Sequence, residues 1–156
     1  MRKIILIILW GALWLGGCKK QDEHSQFHQF KNGVWERFEF VNFEFPVHDA
    51  RQRWDIYLVL RYNESFQGRL LPLNIEMVTP SGDSRVKDYN LFLRSVNNDE
   101  ITGERSDGFY EQKVLTHPQF SFSEKGICKF EIENLNSNYF TQGILEIGFI
   151  LEPSSN

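Results

Sequence analysis

The sequence predicts an all-β protein: an antiparallel β-sandwich, jelly-roll-like, of about eight strands. Two observations carry this prediction. Apolar residues recur at every second position through most of the chain after residue 33, the mark of strands with one buried face. Clusters of Gly, Pro, Asn and Asp break these runs at short intervals, and no window of 11 or more residues keeps a helical period. Composition agrees. A length of 156 residues favours one domain, and 14 phenylalanines within a 15% aromatic content exclude a disordered chain. A net charge of −4 argues against a nucleic-acid partner, which needs clustered Lys and Arg.

The first element is a leader. Arg2 and Lys3 precede an uncharged apolar run from Ile4 to Leu15, too short for the roughly 20 residues of a membrane-spanning helix. Leu15-Gly16-Gly17-Cys18 follows and resembles a bacterial lipobox. That resemblance implies removal of residues 1–17 as a signal peptide and acylation of Cys18 as the mature first residue. Acyl chains contribute ~0.8 kcal/mol per buried methylene, so several on one residue hold a protein stably at a membrane. Lys19, rather than Asp, stands next to the cysteine, and this favours the outer membrane, on its periplasmic face or at the cell surface. Losing Arg2 and Lys3 leaves 15 basic against 21 acidic residues, so the mature chain carries −6. Cys128 is its only other cysteine, so no intramolecular disulfide is expected.

Residues 18–32 read as the lipidated cysteine and a flexible polar tether (KKQDEHSQFHQFKN after Cys18). His24 and His28 lie four apart, but no third ligand is spaced to complete a zinc site, and no metal or other cofactor is expected. The folded domain is assigned to residues 33–152.

Within it, Trp54, Ile56, Leu58, Leu60 and Tyr62 share one strand face, with Asp55, Tyr57, Val59 and Arg61 on the other. Leu71, Leu73, Ile75 and Met77 form a second set; Tyr89, Leu91 and Leu93 a third. Cys128, Phe130 and Ile132 form a fourth, and Leu145, Ile147, Phe149 and Leu151 the last. Parity changes early: Phe38 and Phe40 precede Val41, Phe43, Phe45 and Val47 on the opposite parity. A bulge between Phe40 and Val41, or a break between two short strands, returns both sets to one core. Asn134, Asn136 and Asn138 disfavour a helix over 134–142.

No nucleophile elbow, phosphate loop or metalloprotease helix is present, and the reading is non-enzymatic. Asp49, Asp55, Asp99 and Glu104 are loop acids with no legible pairing. Cys128 reads as a buried thiol, with a redox-active thiol as the alternative. Trp35 and Trp54 read as core residues or as surfaces for a partner or a stacked sugar ring. Arg61 pairs with a carboxylate across the sheet or reaches a partner.

One longer pattern is more specific. Trp35-x-x-Phe38-x-Phe40 and Phe43-x-Phe45-Pro46-Val47-x-Asp49 lead into Trp54-Asp55-Ile56-Tyr57-Leu58-Val59-Leu60-Arg61-Tyr62-Asn63, then Leu71-Pro72-Leu73 and Thr79-Pro80-Ser81-Gly82. With the lipobox, these residues resemble the GldH-type gliding-motility lipoproteins of Bacteroidetes. The stretch 101–110 keeps Gly103 and Gly108 but lacks the tryptophan common in that family's loop. The resemblance implies an accessory lipoprotein of the cell envelope, associated with gliding or type IX secretion. It implies contacts with other envelope lipoproteins or outer-membrane proteins. A glycan-binding surface lipoprotein is the alternative.

Overall fold

The computed structural model describes residues 22–155. The leader, Cys18 and its expected acylation lie outside the described residues. What is described is all-β apart from one 3-10 turn at Lys31–Gly33, and every strand pairing is antiparallel. One sheet contains β1 (Ser25–Gln29), β11 (Ile144–Pro153), β4 (Arg53–Tyr62), β8 (Phe109–Ser121) and β7 (Glu104–Ser106), in that spatial order. The facing sheet orders β3 (Val41–Val47), β9 (Gly126–Asn134), β5 (Leu70–Val78) and β6 (Ser84–Phe92). A two-stranded ribbon joins β2 (Val34–Glu36) to β10 (Phe140–Gln142).

The expected alternation places the core. Trp54, Ile56, Leu58, Leu60 and Tyr62 are all buried, as are Leu71, Leu73, Ile75 and Met77 on the facing sheet. Rings interlock between the sheets: Phe149 of β11 lies 4.3 Å from Phe130 of β9 and 5.7 Å from Phe43 of β3, centroid to centroid. Burying such side chains contributes about 1.5–3 kcal/mol each. In β11, a register shift between Ile144 and Glu146 leaves Leu145 half-buried and puts Ile144 in the core instead.

Three expectations need correction. Among the described residues there are eleven strands, not about eight: β2, β7 and β10 have three residues each and are too short to show a period, and β1 and β8 carry no apolar alternation. The tether assigned to 18–32 is largely folded: β1 pairs Ser25 through Gln29 with Ile150 through Glu146, and the His24 carbonyl accepts from Leu151 N at 2.8 Å. A polar edge strand is held by backbone hydrogen bonds, so no apolar period announces it. Gly148 makes the docking possible, since a Cβ there would stand 2.2 Å from the Gln26 carbonyl oxygen. Finally, the parity change at Phe40 is a break between β2 and β3, and the two sets do not share the core. Phe38 is 64% and Phe40 45% exposed, while Val41, Phe43, Phe45 and Val47 are buried.

The sandwich therefore has two distinct ends. The entering chain at Asp22–His24, the turn His48–Gln52, Gly126 and the exit at Pro153–Ser155 share one end. The β2–β10 ribbon, the turn after β2, and the loop from Leu135 to Tyr139 form the other. Trp54 and Tyr62 mark the two ends along β4, eight residues or ~26 Å apart at a strand's rise of ~3.3 Å per residue.

Candidate functional site

The far end is built on Trp35. Its indole is fully buried, stacks on Phe30 at 4.6 Å, and donates from Nε1 to the Glu39 carbonyl at 2.9 Å. That bond ties the turn after β2 back onto its own strand. Across the ribbon Thr141 faces inward with Trp35, and its hydroxyl accepts from buried Asn134 Nδ2 at 2.9 Å. The three asparagines that disfavour a helix build the loop instead. Asn134 Oδ1 accepts from Asn136 N at 2.9 Å, and Asn136 Oδ1 from Asn138 N at 3.0 Å, two successive side-chain-closed turns.

With one parity of the ribbon inside, the other is presented outward. Val34, Glu36, Phe140 and Gln142 line an open groove of about 630 Å3, together with Lys31, Asn32 and Glu39. Beside it the Arg37 amide donates to the Tyr139 carbonyl at 2.7 Å, and the Arg37 guanidinium lies 5.2 Å from the Phe38 ring centroid. Phe38 sits at φ 72°, a left-handed conformation that is strained for a bulky residue and costs about 1–3 kcal/mol. The strain holds an aromatic ring in water. Among the described residues, Phe38, Phe40, Leu135, Tyr139 and Phe140 make up five of the ten exposed large hydrophobics, so the exposed apolar surface concentrates here.

A second cluster surrounds Arg61 on the outer face of the five-stranded sheet. Arg61 Nε donates to Glu111 Oε2 at 2.7 Å and Nη1 to Glu146 Oε2 at 2.5 Å. Gln29 Nε2 donates to the other Glu146 oxygen. The guanidinium lies between Phe27 (4.9 Å) and Phe109 (5.6 Å). Desolvation works to lower its pKa, but the hydrogen bonds to Glu111 and Glu146 outweigh it and raise the pKa. The cross-sheet salt bridge is thus present, with two carboxylates rather than one.

Trp35 and Trp54 are core residues rather than contact surfaces. Trp35 is 0% and Trp54 7% exposed, so neither offers a ring face to a sugar or a partner. Trp54 packs on the His24 ring at 4.7 Å. His28 turns away toward Glu39 at 3.4 Å, so the two histidines do not converge. No group of three or more His, Cys, Asp or Glu among the described residues is placed to hold a metal. The loop acids take separate partners: Asp49 pairs with Arg51 at 3.0 Å, Asp99 lies 3.6 Å from Arg69, and Asp55 accepts from Gln119 N and Ser154 Oγ. Hydrogen bonds from Arg51 hold the Asp49 carboxyl down to about 2. Cys128 is fully buried, and desolvation pushes its thiol up to about 12, far from a reactive thiolate at neutral pH. The exposed aromatics Tyr139 and Phe140 were not singled out by sequence reasoning. The parity break at Phe40 was the one signal near them.

Fold and site together define a class: an antiparallel β-sandwich that offers an open aromatic groove at one end and a folded-in amino-terminal strand at its edge. The chain belongs to the GldH lipoprotein family, whose model matches residues 23–151. Two curated relatives extend the match. The gliding motility lipoprotein GldH of Flavobacterium johnsoniae is 26% identical over 94% of both chains. The gliding motility lipoprotein GldH homolog of Christiangramia forsetii is 24% identical over 97% of this chain and 96% of its own. Among solved structures, the mosquito-larvicidal Cry4Aa toxin of Bacillus thuringiensis aligns with 83% of this chain and 21% of its own, at TM-score 0.41 and 12% identity. That likeness is too slight to carry an argument.

Proposed function

We propose that the protein is an outer-membrane lipoprotein, anchored through Cys18, that acts without catalysis by contacting other envelope proteins of a gliding or type IX secretion apparatus. The observation that carries this reading is the near full-length match to relatives named for gliding motility, combined with Leu15-Gly16-Gly17-Cys18 at the end of the leader. The fold supplies a physical frame for it. Because β1 is folded in, three residues separate Cys18 from Asp22, four steps of chain that reach at most about 14 Å when extended. The domain would ride close to the bilayer rather than on a long arm.

Deletion of the gene, followed by assays of colony spreading, secreted cargo and the levels of neighbouring envelope lipoproteins, tests the proposal. Loss of spreading or secretion, or depletion of a neighbouring lipoprotein, is expected. Normal spreading, secretion and lipoprotein levels would contradict it.

A further inference from the structure

Four strand edges bound the two main sheets, and three of them carry devices that block further pairing. On one side Gln26 Nε2 of β1 donates to the Glu44 carbonyl of β3 at 2.5 Å, and β3 contains Pro46. On the other side β7 covers Phe109–Glu111 of β8, and the rest of β8 is blunted by Pro118, Gln119 at φ 47° and two register shifts against β4. The fourth edge is β6, which pairs with β5 residue for residue from Ser84 to Phe92, with no proline and no shift.

The register decides which groups this edge offers. Thr79 N donates to the Asp83 carbonyl and Leu93 N to the Arg69 carbonyl, each at 2.9 Å, so the odd-numbered residues of the hairpin form its hydrogen-bonded pairs. The amides and carbonyls of Val86, Asp88 and Asn90 therefore point away from β5, out of the sheet edge. Arg85, Lys87 and Tyr89 lie opposite buried Met77, Ile75 and Leu73, on the face turned toward β8.

Charge on that face is uncompensated. Arg85 lies 5.0 Å from the Phe120 ring centroid and Lys87 4.9 Å from that of Tyr89, and neither joins an ion pair among the described residues. The β8 stretch they face, residues 112–121, contains no acidic residue, and its His117 feels both cations. Nearby acids are engaged elsewhere. Asp83 accepts from Ser81 at 2.8 Å; Asp88 accepts from Asn74 and Glu76 from Ser84, both at 2.6 Å and both on the opposite face. Glu124, in the turn after β8, lies beyond salt-bridge distance of both cations. The Tyr89 hydroxyl is a buried donor with no partner.

Inward-pointing cations on an edge turn away strands that bring no counter-charge. A second copy of β6 would only add two more cations to the same face. An antiparallel strand bonded to Val86, Asp88 and Asn90 would set its intervening residues opposite Arg85 and Lys87 in non-hydrogen-bonded pairs, where side chains stand closest. We infer that β6 accepts an extended acidic segment of a partner protein as an added antiparallel strand, its alternate carboxylates seated on Arg85 and Lys87. This goes beyond the proposed function, because it rests on β6 and β8 alone and holds whether or not the protein serves gliding.

The test uses the full chain in detergent micelles and two synthetic peptides of about ten residues. One has Glu at every second position between Thr and Val; the other has Lys in place of Glu. Amide hydrogen exchange is read residue by residue. With the acidic peptide, exchange at Val86, Asp88 and Asn90 should slow about tenfold or more, and the lysine peptide should leave it unchanged. Arg85→Glu combined with Lys87→Glu should weaken the acidic peptide about tenfold and admit the lysine one. Val86→Pro removes one outward amide where an edge strand tolerates proline, and should abolish the protection while the melting temperature stays close to that of the parent. No protection at millimolar acidic peptide, or equal protection by the lysine peptide, would overturn the inference. So would binding that shifts the Arg85 and Lys87 side-chain signals without protecting the amides, or dextran sulfate binding as tightly as the acidic peptide, since either marks a general anion surface.

Discussion

The two ends of the sandwich solve the same problem differently. Each must close a set of loops over an apolar core. At the end where the chain enters, the loops are short and self-paired: Glu23 bridges His48 and His24, Asp49 takes Arg51, and Asp55 ties Gln119 to Ser154. At the far end the closing groups are buried (Trp35, Thr141, Asn134), while the rings above them stay in water. A fold that needed only stability could have placed polar residues at 38, 139 and 140, since surface substitutions there cost little. The difference teaches that the far end spends surface quality on something other than folding.

The largest expected effect comes from removing the plug of the far end. Trp35→Ala deletes a fully buried ring and the bond to Glu39, and should lose about 3–5 kcal/mol. Denaturant melts would read the loss, and hydrogen exchange should show the ribbon opening first. Exchange that stays protected over 34–36 and 140–142 would break the distinction between the ends. Gly148→Ala comes next, at about 1–3 kcal/mol, because the added Cβ meets the Gln26 backbone, which cannot swing aside. Here β1 should detach from β11 while the ribbon keeps its protection. Arg61→Met should cost about 1–2 kcal/mol, discounted for an ion pair that is about a third exposed. It leaves Glu111 and Glu146 without their shared cation.

A smaller effect is pH dependence in the half of the sandwich where the chain enters. His117 is half-buried; desolvation, and after it Lys87 and Arg85, lower its pKa below the ordinary value of about 6.5. The unfolded chain therefore binds a proton that the folded chain resists. Stability is fully present above about 6.5 and declines as pH falls below it. His117→Gln should flatten the fall in melting temperature between pH 7.5 and 5.5; an unchanged slope would assign it to other groups. The smallest effect on stability is expected where the functional effect is greatest. Phe38, Tyr139 and Phe140 changed together to Ser should leave stability within about 1 kcal/mol or raise it through relief at Phe38.

Much of the sandwich interior could be read from the chain. The Trp54–Tyr62 alternation gave a central strand because both neighbours, β11 and β8, bury one of its faces against the opposite sheet. β8 itself escaped notice: over 109–121 only Thr116 is buried, so there is no apolar period to find. β1 was mistaken for a tether for the same reason. Arg61 was recognisable as a salt-bridge residue from its parity, but its partners lie 50 and 85 residues away, a distance only folding closes. The far-end aromatics were hidden by composition. A count of 14 phenylalanines suggests a rich core, and a sequence without strand ends cannot say which of them face water.

The most direct test of the division between ends is complementation of the deletion strain with two variants produced at equal levels in the envelope. One carries Phe38→Ser, Tyr139→Ser and Phe140→Ser at the far end; the other carries Arg51→Ser and Ile127→Ser at the entry end. Colony spreading and secreted cargo are the readout. The account predicts that the far-end variant fails and the entry-end variant restores both. Full restoration by the far-end variant would contradict it.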